Sequence, residues 1–86
     1  MLANARNVNK LRSYLRGLAS RRSSGTVTAD DVHRWINNNT NIGEDSSRIR
    51  LSYVNAALRE PDFTPGDWTV SERPAAKGRM ISEWSY

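Results

Sequence analysis

The 86-residue sequence has no cysteine, one histidine, three prolines and five glycines, and no apolar run longer than about three residues. Without cysteine there are no disulfide staples and no thiolate metal sites, and His33 alone cannot assemble a zinc site of ordinary ligand type. Without a long apolar run, neither a membrane span nor the apolar segment of a secretory signal can be placed, which predicts a cytoplasmic protein with no membrane partner. No internal repeat, low-complexity tract or linker interrupts the chain, so residues 1–86 read as a single domain. A chain of this size buries ~60–65% of the surface its unfolded form exposes. Acidic residues are also scarce: nine against thirteen basic ones, a net charge of +4. Eleven of the thirteen are Arg, with only Lys10 and Lys77 as exceptions. Arginine carries a planar donor fork that matches phosphate oxygens and the guanine edge, whereas lysine offers a hydrated point charge. An Arg-rich composition also arises from solvated charged faces, and the sequence alone leaves both readings open.

The apolar residues that are present fall into periodic sets. From Asn4 to about Arg22, Val8, Leu11, Leu15 and Leu18 recur at helical spacing, and Ser23, Ser24 and Gly25 stop that helix. Thr26–Thr28 is short and β-branched, and Thr28-Ala29-Asp30-Asp31 then reads as an N-cap with a carboxylate three positions later. Val32, Trp35 and Ile36 form the inner face of this second helix, which ends in the polar run from Asn37 to Asn41. Gly43 completes a connection, from Asn37 to Ser46, in which Ile42 is a candidate brace. The third helix is expected over about Ser47–Arg59, with Leu51, Val54 and Leu58 as its buried stripe. Arg48, Ser52, Asn55 and Arg59 share another stripe, roughly a quarter turn away, that is polar throughout. Ile49, Tyr53 and Ala56 make a second apolar strip, explained by a wider core or a dimer contact. Beyond Pro61 the period becomes that of a hairpin: a turn at Thr64-Pro65-Gly66-Asp67, a strand over 68–72, a loop from Arg73 to Gly78, and a last strand from Arg79 to Tyr86. Trp68 and Val70 point to one side of the first strand. Met80 and Trp84 suggest one register for the second, and Ile81 the opposite one.

The order helix, short strand, helix, helix, hairpin resembles the winged helix-turn-helix family over nearly the whole chain. The Thr-Ala-Asp-Asp helix start, together with the hairpin loop Arg-Pro-Ala-Ala-Lys-Gly-Arg and Trp84, also looks like small DNA-binding proteins of bacteriophages, which would place the chain in the host cytoplasm. The resemblance implies an α+β fold with three helices, a short first strand and a C-terminal β-hairpin wing. It further implies that the third helix enters the major groove of double-stranded DNA while the wing touches the minor groove or backbone. On that basis Arg48 and Arg59 are expected to reach guanine edges or phosphates, and Asn55 an adenine edge. Ser47 and Ser52 complete the helix set, and Arg73, Lys77 and Arg79 supply phosphate contacts from the wing. The connection between the second and third helices is longer than the tight turn usual in that family.

Enzymatic chemistry finds little support. His33 sits beside Val32, away from the Trp35/Ile36 face, and reads as an exposed polar residue. A Ser-His-Asp arrangement would need an oxyanion hole and a cleft that so small a core scarcely forms. Pro61-Asp62 with Glu72 begins a metal-dependent nuclease pattern, but Pro74 stands where that pattern needs Lys. Asp62 more simply caps a helix end, and Glu72 more simply pairs across the hairpin. No Gly-rich phosphate loop is present. The expectation is therefore a DNA-binding regulator or architectural factor with no metal, cofactor or small-molecule substrate. The alternatives are a protein-interaction module of the same fold, which exposed aromatics would favour, and RNA binding, which would want outward-facing Trp68 and Trp84. A protein partner or a homodimer is compatible with either reading.

Overall fold

The computed structural model describes residues 5–38, 47–59 and 62–86, without the side chains of residues 47–49 and 75. Within these residues the chain forms a small α+β domain of three helices and one three-stranded antiparallel sheet. The element order is α1 (Ala5–Arg21), β1 (Thr26–Val27), α2 (Ala29–Asn37), α3 (Ser47–Ala57), β2 (Thr64–Val70) and β3 (Met80–Ser85), with a 3-10 turn at Pro74–Ala76. The sheet order is β1-β3-β2. Thus β3, the last strand in sequence, lies in the middle and closes the chain onto its first strand. Gly43, Ile42 and the other residues of the connection from 39 to 46 lie outside the described set.

Local interactions set the end of α1 and the start of α2. The end of α1 is a turn in which the Gly25 amide bonds the Arg22 carbonyl at 3.1 Å. Gly25 there takes φ +68°, a conformation that costs glycine little. At α2 the Thr28 side chain accepts from the helix amides while Asp31 reaches back to the Thr28 amide at 2.9 Å, a complete capping box. This is the local pattern expected from Thr28-Ala29-Asp30-Asp31.

The core is built from all three helices and β1. Leu11 and Leu15 of α1, Val27 of β1, Val32, Trp35 and Ile36 of α2, Tyr53 and Ala57 of α3, Leu58 and Phe63 form one cluster, with Val8, Leu18, Val54 and Trp84 packed half-buried against it. Trp35 and Tyr53 meet with ring centroids 6.4 Å apart. The stripes expected on α1 and α2 are thus the ones that face inward.

On α3 the inward face differs from the expected one. Leu51 is 57% exposed, while Tyr53 and Ala57 are buried. The helix is rolled by about a sixth of a turn relative to the Leu51/Val54/Leu58 stripe, at 100° per residue. Of the second strip Tyr53 is core, because a tyrosine ring buries far more apolar area than a leucine and finds a hydroxyl partner in the Asn7 amide at 3.2 Å.

The hairpin differs in a second respect. Thr64-Pro65-Gly66-Asp67, expected as a turn, is the first half of β2, where Pro65 pairs with Trp84 and the register shifts between Pro65 and Trp68. A bulge at an edge strand accommodates both proline, which donates no ladder bond, and the extra residue. Beyond the bulge Trp68 pairs with Ser82, Thr69 with Ile81 and Val70 with Met80. Trp68, Val70 and Met80 are therefore an outward set, 63%, 52% and 50% exposed, while Trp84 packs against the core.

Candidate nucleic-acid interface

The charged side chains divide into those that hold the fold and those that hold nothing among the described residues. Arg22 donates two bonds of 2.8 Å to the carboxylate of Asp31, and Arg34 a third of 2.8 Å. Burial opposes ionisation of Asp31, but the hydrogen bonds from Arg22 and the Thr28 amide, with the charges of Arg22 and Arg34, outweigh it and hold the carboxyl below its usual value. The same hydrogen bond raises the Arg22 value. Arg12 and Arg16 of α1 both engage Asp62, pinning the segment before β2 to the first helix. Asp62, expected to cap a helix end, is instead the anion of this clamp. Arg50 spans α2 and α3 through the Asn37 side-chain oxygen at 2.7 Å and the His33 ring at 3.3 Å.

His33 is correspondingly half-buried and not the exposed residue that its position suggested. Desolvation, with the positive charges of Arg73 and Arg50, lowers its value to about 4, against a weaker opposing pull from Asp30. Its ring is thus neutral at neutral pH.

Asp30 ties the hairpin to α2. It is buried, and its carboxylate accepts from the Ser71 hydroxyl at 2.7 Å and from the Glu72 amide at 2.7 Å. Glu72, expected to pair across the hairpin, lies beyond the end of the β2 ladder. Between the two strands the loop winds tightly: the Ala76 amide bonds the Arg73 carbonyl at 3.0 Å, and the Arg79 amide bonds the Ala76 carbonyl at 3.0 Å. Lys77 is held at φ 51°, a left-handed conformation that costs a non-glycine residue ~1 kcal/mol.

Of the eight residues singled out from the sequence, Ser52, Asn55 and Arg59 fall on the side of the third helical segment facing away from the core. Asn55 and Arg59 are exposed and Ser52 is half-buried, while the side chains of Ser47 and Arg48 lie outside the described set. Leu51 joins them on that face. The hairpin members follow: Lys77 and Arg79 exposed, Arg73 half-buried. Among the described residues none of Arg59, Arg73, Lys77 and Arg79 forms an ion pair. Leu51 and Val54 of α3 border the same cleft as Arg73 and Arg79, so the helix face and the loop adjoin. Glu72 and Glu83 line a different groove, with Arg22, Thr28 and Asp31. Glu72 and Arg73 meet again at a third groove, with Asp30, His33 and Arg34.

Sequence reading missed Arg50, Asp30 and Leu51. Arg50 and Asp30 have partners 13 or more residues away, so no local spacing marks them. Among the described residues no group of three or more His, Cys, Asp or Glu is placed to hold a metal ion, and no helix is long and apolar enough to cross a membrane. No protein family, curated protein or solved structure matches the chain. Fold and site together define a small α+β domain whose hairpin loop carries the cations Arg73, Lys77 and Arg79.

Proposed function

We propose that the chain is a double-stranded DNA-binding protein of the winged helix-turn-helix kind, a transcriptional regulator or architectural factor and not an enzyme. In this reading α3 enters the major groove with Asn55 and Arg59, joined by Ser47, Arg48 and Ser52, and Leu51 offers apolar contact to a thymine methyl. The hairpin acts as the wing, with Arg73, Lys77 and Arg79 on phosphates. The supporting observation is that Arg73 and Arg79 of the hairpin loop lie together on one cleft with Leu51 of α3, with no carboxylate within ion-pair distance of either guanidinium among the described residues. Cations that serve only solubility gain nothing from lying together, whereas a phosphate backbone needs them together.

Fluorescence anisotropy on duplex DNA tests the reading. Affinity is expected to fall with salt at a log-log slope of about −3 to −4, and Lys77→Ala to reduce that slope by ~1 without changing sequence preference. Asn55→Ala is expected to cost ~1–3 kcal/mol at one base pair and relax preference there. Absence of duplex binding at low salt overturns the reading.

The outward set Trp68, Val70 and Met80 favours a second reading, in which the hairpin docks a protein of a replication, recombination or transcription complex. Trp68→Ala separates the two. It leaves duplex affinity unchanged under the first reading and dissolves the complex under the second.

A further inference from the structure

We propose that the cleft between α2, α3 and the hairpin loop binds a small amphipathic anion: a compact apolar body, aromatic or branched, bearing one carboxylate or similar group. The cleft has a volume of about 440 Å³ and is partly open to solvent. That volume lies within the range of sites for small organic molecules. Its walls are Ala29 from the start of α2, Leu51 and Val54 from α3, and Ile81 from β3. Leu51 is 57% exposed, and Val54 and Ile81 are only half-buried. Three large aliphatic side chains from two elements thus converge on a space that no described side chain fills. Covering them removes apolar surface from water, which is the driving force for an apolar body to enter.

The polar groups at the cleft select the charge of that body. Asp30 is committed to the Ser71 hydroxyl and the Glu72 amide, both at 2.7 Å. His33 is held neutral by desolvation and by the neighbouring guanidiniums. Arg73 and Arg79 line the cleft with no ion partner among the described residues. The uncommitted charge is therefore positive, presented as planar forks suited to a carboxylate. A bare phosphate or sulfate would leave the aliphatic walls uncovered, and a neutral hydrocarbon would leave both guanidiniums unused. A molecule with an apolar body and one anionic end satisfies both.

The test uses the intact chain with three probes: 2-naphthoate, the uncharged 2-naphthol of the same shape, and acetate. Two-dimensional amide NMR follows each titration. Expected for 2-naphthoate is saturable binding with Kd of about 0.1–1 mM, with shifts centred on Ala29, His33, Leu51, Val54 and Ile81. 2-Naphthol is expected to bind about tenfold more weakly, and acetate to move none of these signals at the same concentration. The double variant Arg73→Ala/Arg79→Ala removes side chains that form no ion pair among the described residues, so its spectrum is expected to stay dispersed. It is expected to weaken 2-naphthoate about tenfold and leave 2-naphthol unchanged. Leu51→Glu, at an exposed position, is expected to abolish naphthoate binding. Shifts centred on Trp68, Val70 and Met80, equal affinity for naphthoate in the double variant, or no saturable binding at millimolar concentration each overturn the proposal.

Discussion

Asp31 does three jobs at once: it closes the capping box of α2, receives the fork of Arg22 and anchors Arg34. A buried carboxylate is stable only when its oxygens are fully used, and here the Thr28 amide, Arg22 and Arg34 use them. Asp31→Asn keeps the shape but removes the charge and one acceptor, leaving the guanidinium of Arg22 badly matched. The expected cost is ~2–3 kcal/mol, read as a lower denaturation midpoint at unchanged slope. The capping role of Asp31 was legible because Thr28 lies only three residues away. Its pairing with Arg22 was not, because that contact crosses the turn at Gly25, and nothing in the spacing of an arginine and an aspartate tells which charges meet.

At the level of elements, the sequence identified α1 and α2 with their inner faces, and it located a closing hairpin. It misplaced the roll of α3 and the start of β2. On α3 two apolar patterns competed, and at the start of β2 turn-forming residues stood where the strand begins, so in both places only the neighbours could choose. Tyr53 wins over Leu51 because α1 supplies Asn7 for its hydroxyl and α2 supplies Trp35 for its ring. Pro65 and Gly66 enter a strand because Trp84 stands opposite Pro65 and the bulge absorbs the mismatch. The attachment of the hairpin to α2 is likewise a matter of one tertiary contact, Asp30 with Ser71 and Glu72. Asp30→Ala strips the acceptor from a buried hydroxyl and from a backbone amide, at a cost of ~2–3 kcal/mol. Hydrogen exchange at the Glu72 amide is expected to accelerate far more than exchange in α1, since the loss is local to the base of the hairpin. Equal acceleration throughout would show instead that Asp30 acts on the whole fold.

Among the described residues two shifted groups, His33 and Asp31, act on the acid limb of the whole molecule. His33 has a folded value of about 4 against 6.5 for the free ring. Between those values the unfolded chain takes up a proton that the folded chain refuses. Stability therefore declines as pH falls through this window and levels below it. Solvent screening at a half-buried ring keeps the decline to about 1–2 kcal/mol. Asp31 acts lower. Its folded value lies under 3.8, so its contribution is complete above that pH and is lost as pH falls further. Thermal melts across pH 3–7 are expected to show both phases, and His33→Gln to remove the upper one alone. Charge is also arranged at this scale: Arg73 and Arg79 share the cleft beside α3, Glu72 and Glu83 share a groove with Arg22 and Arg34, and Glu72 and Arg73 meet at a third. Composition announced an excess of arginine, and periodicity announced where helices and strands begin, because capping, turns and amphipathic spacing are interactions between residues a few positions apart. Which arginines are spent on Asp31 and Asp62 and which stay free beside α3, and how α3 is rolled, depended on contacts between residues far apart in the chain. Those contacts exist only in the folded domain, and no local pattern encodes them.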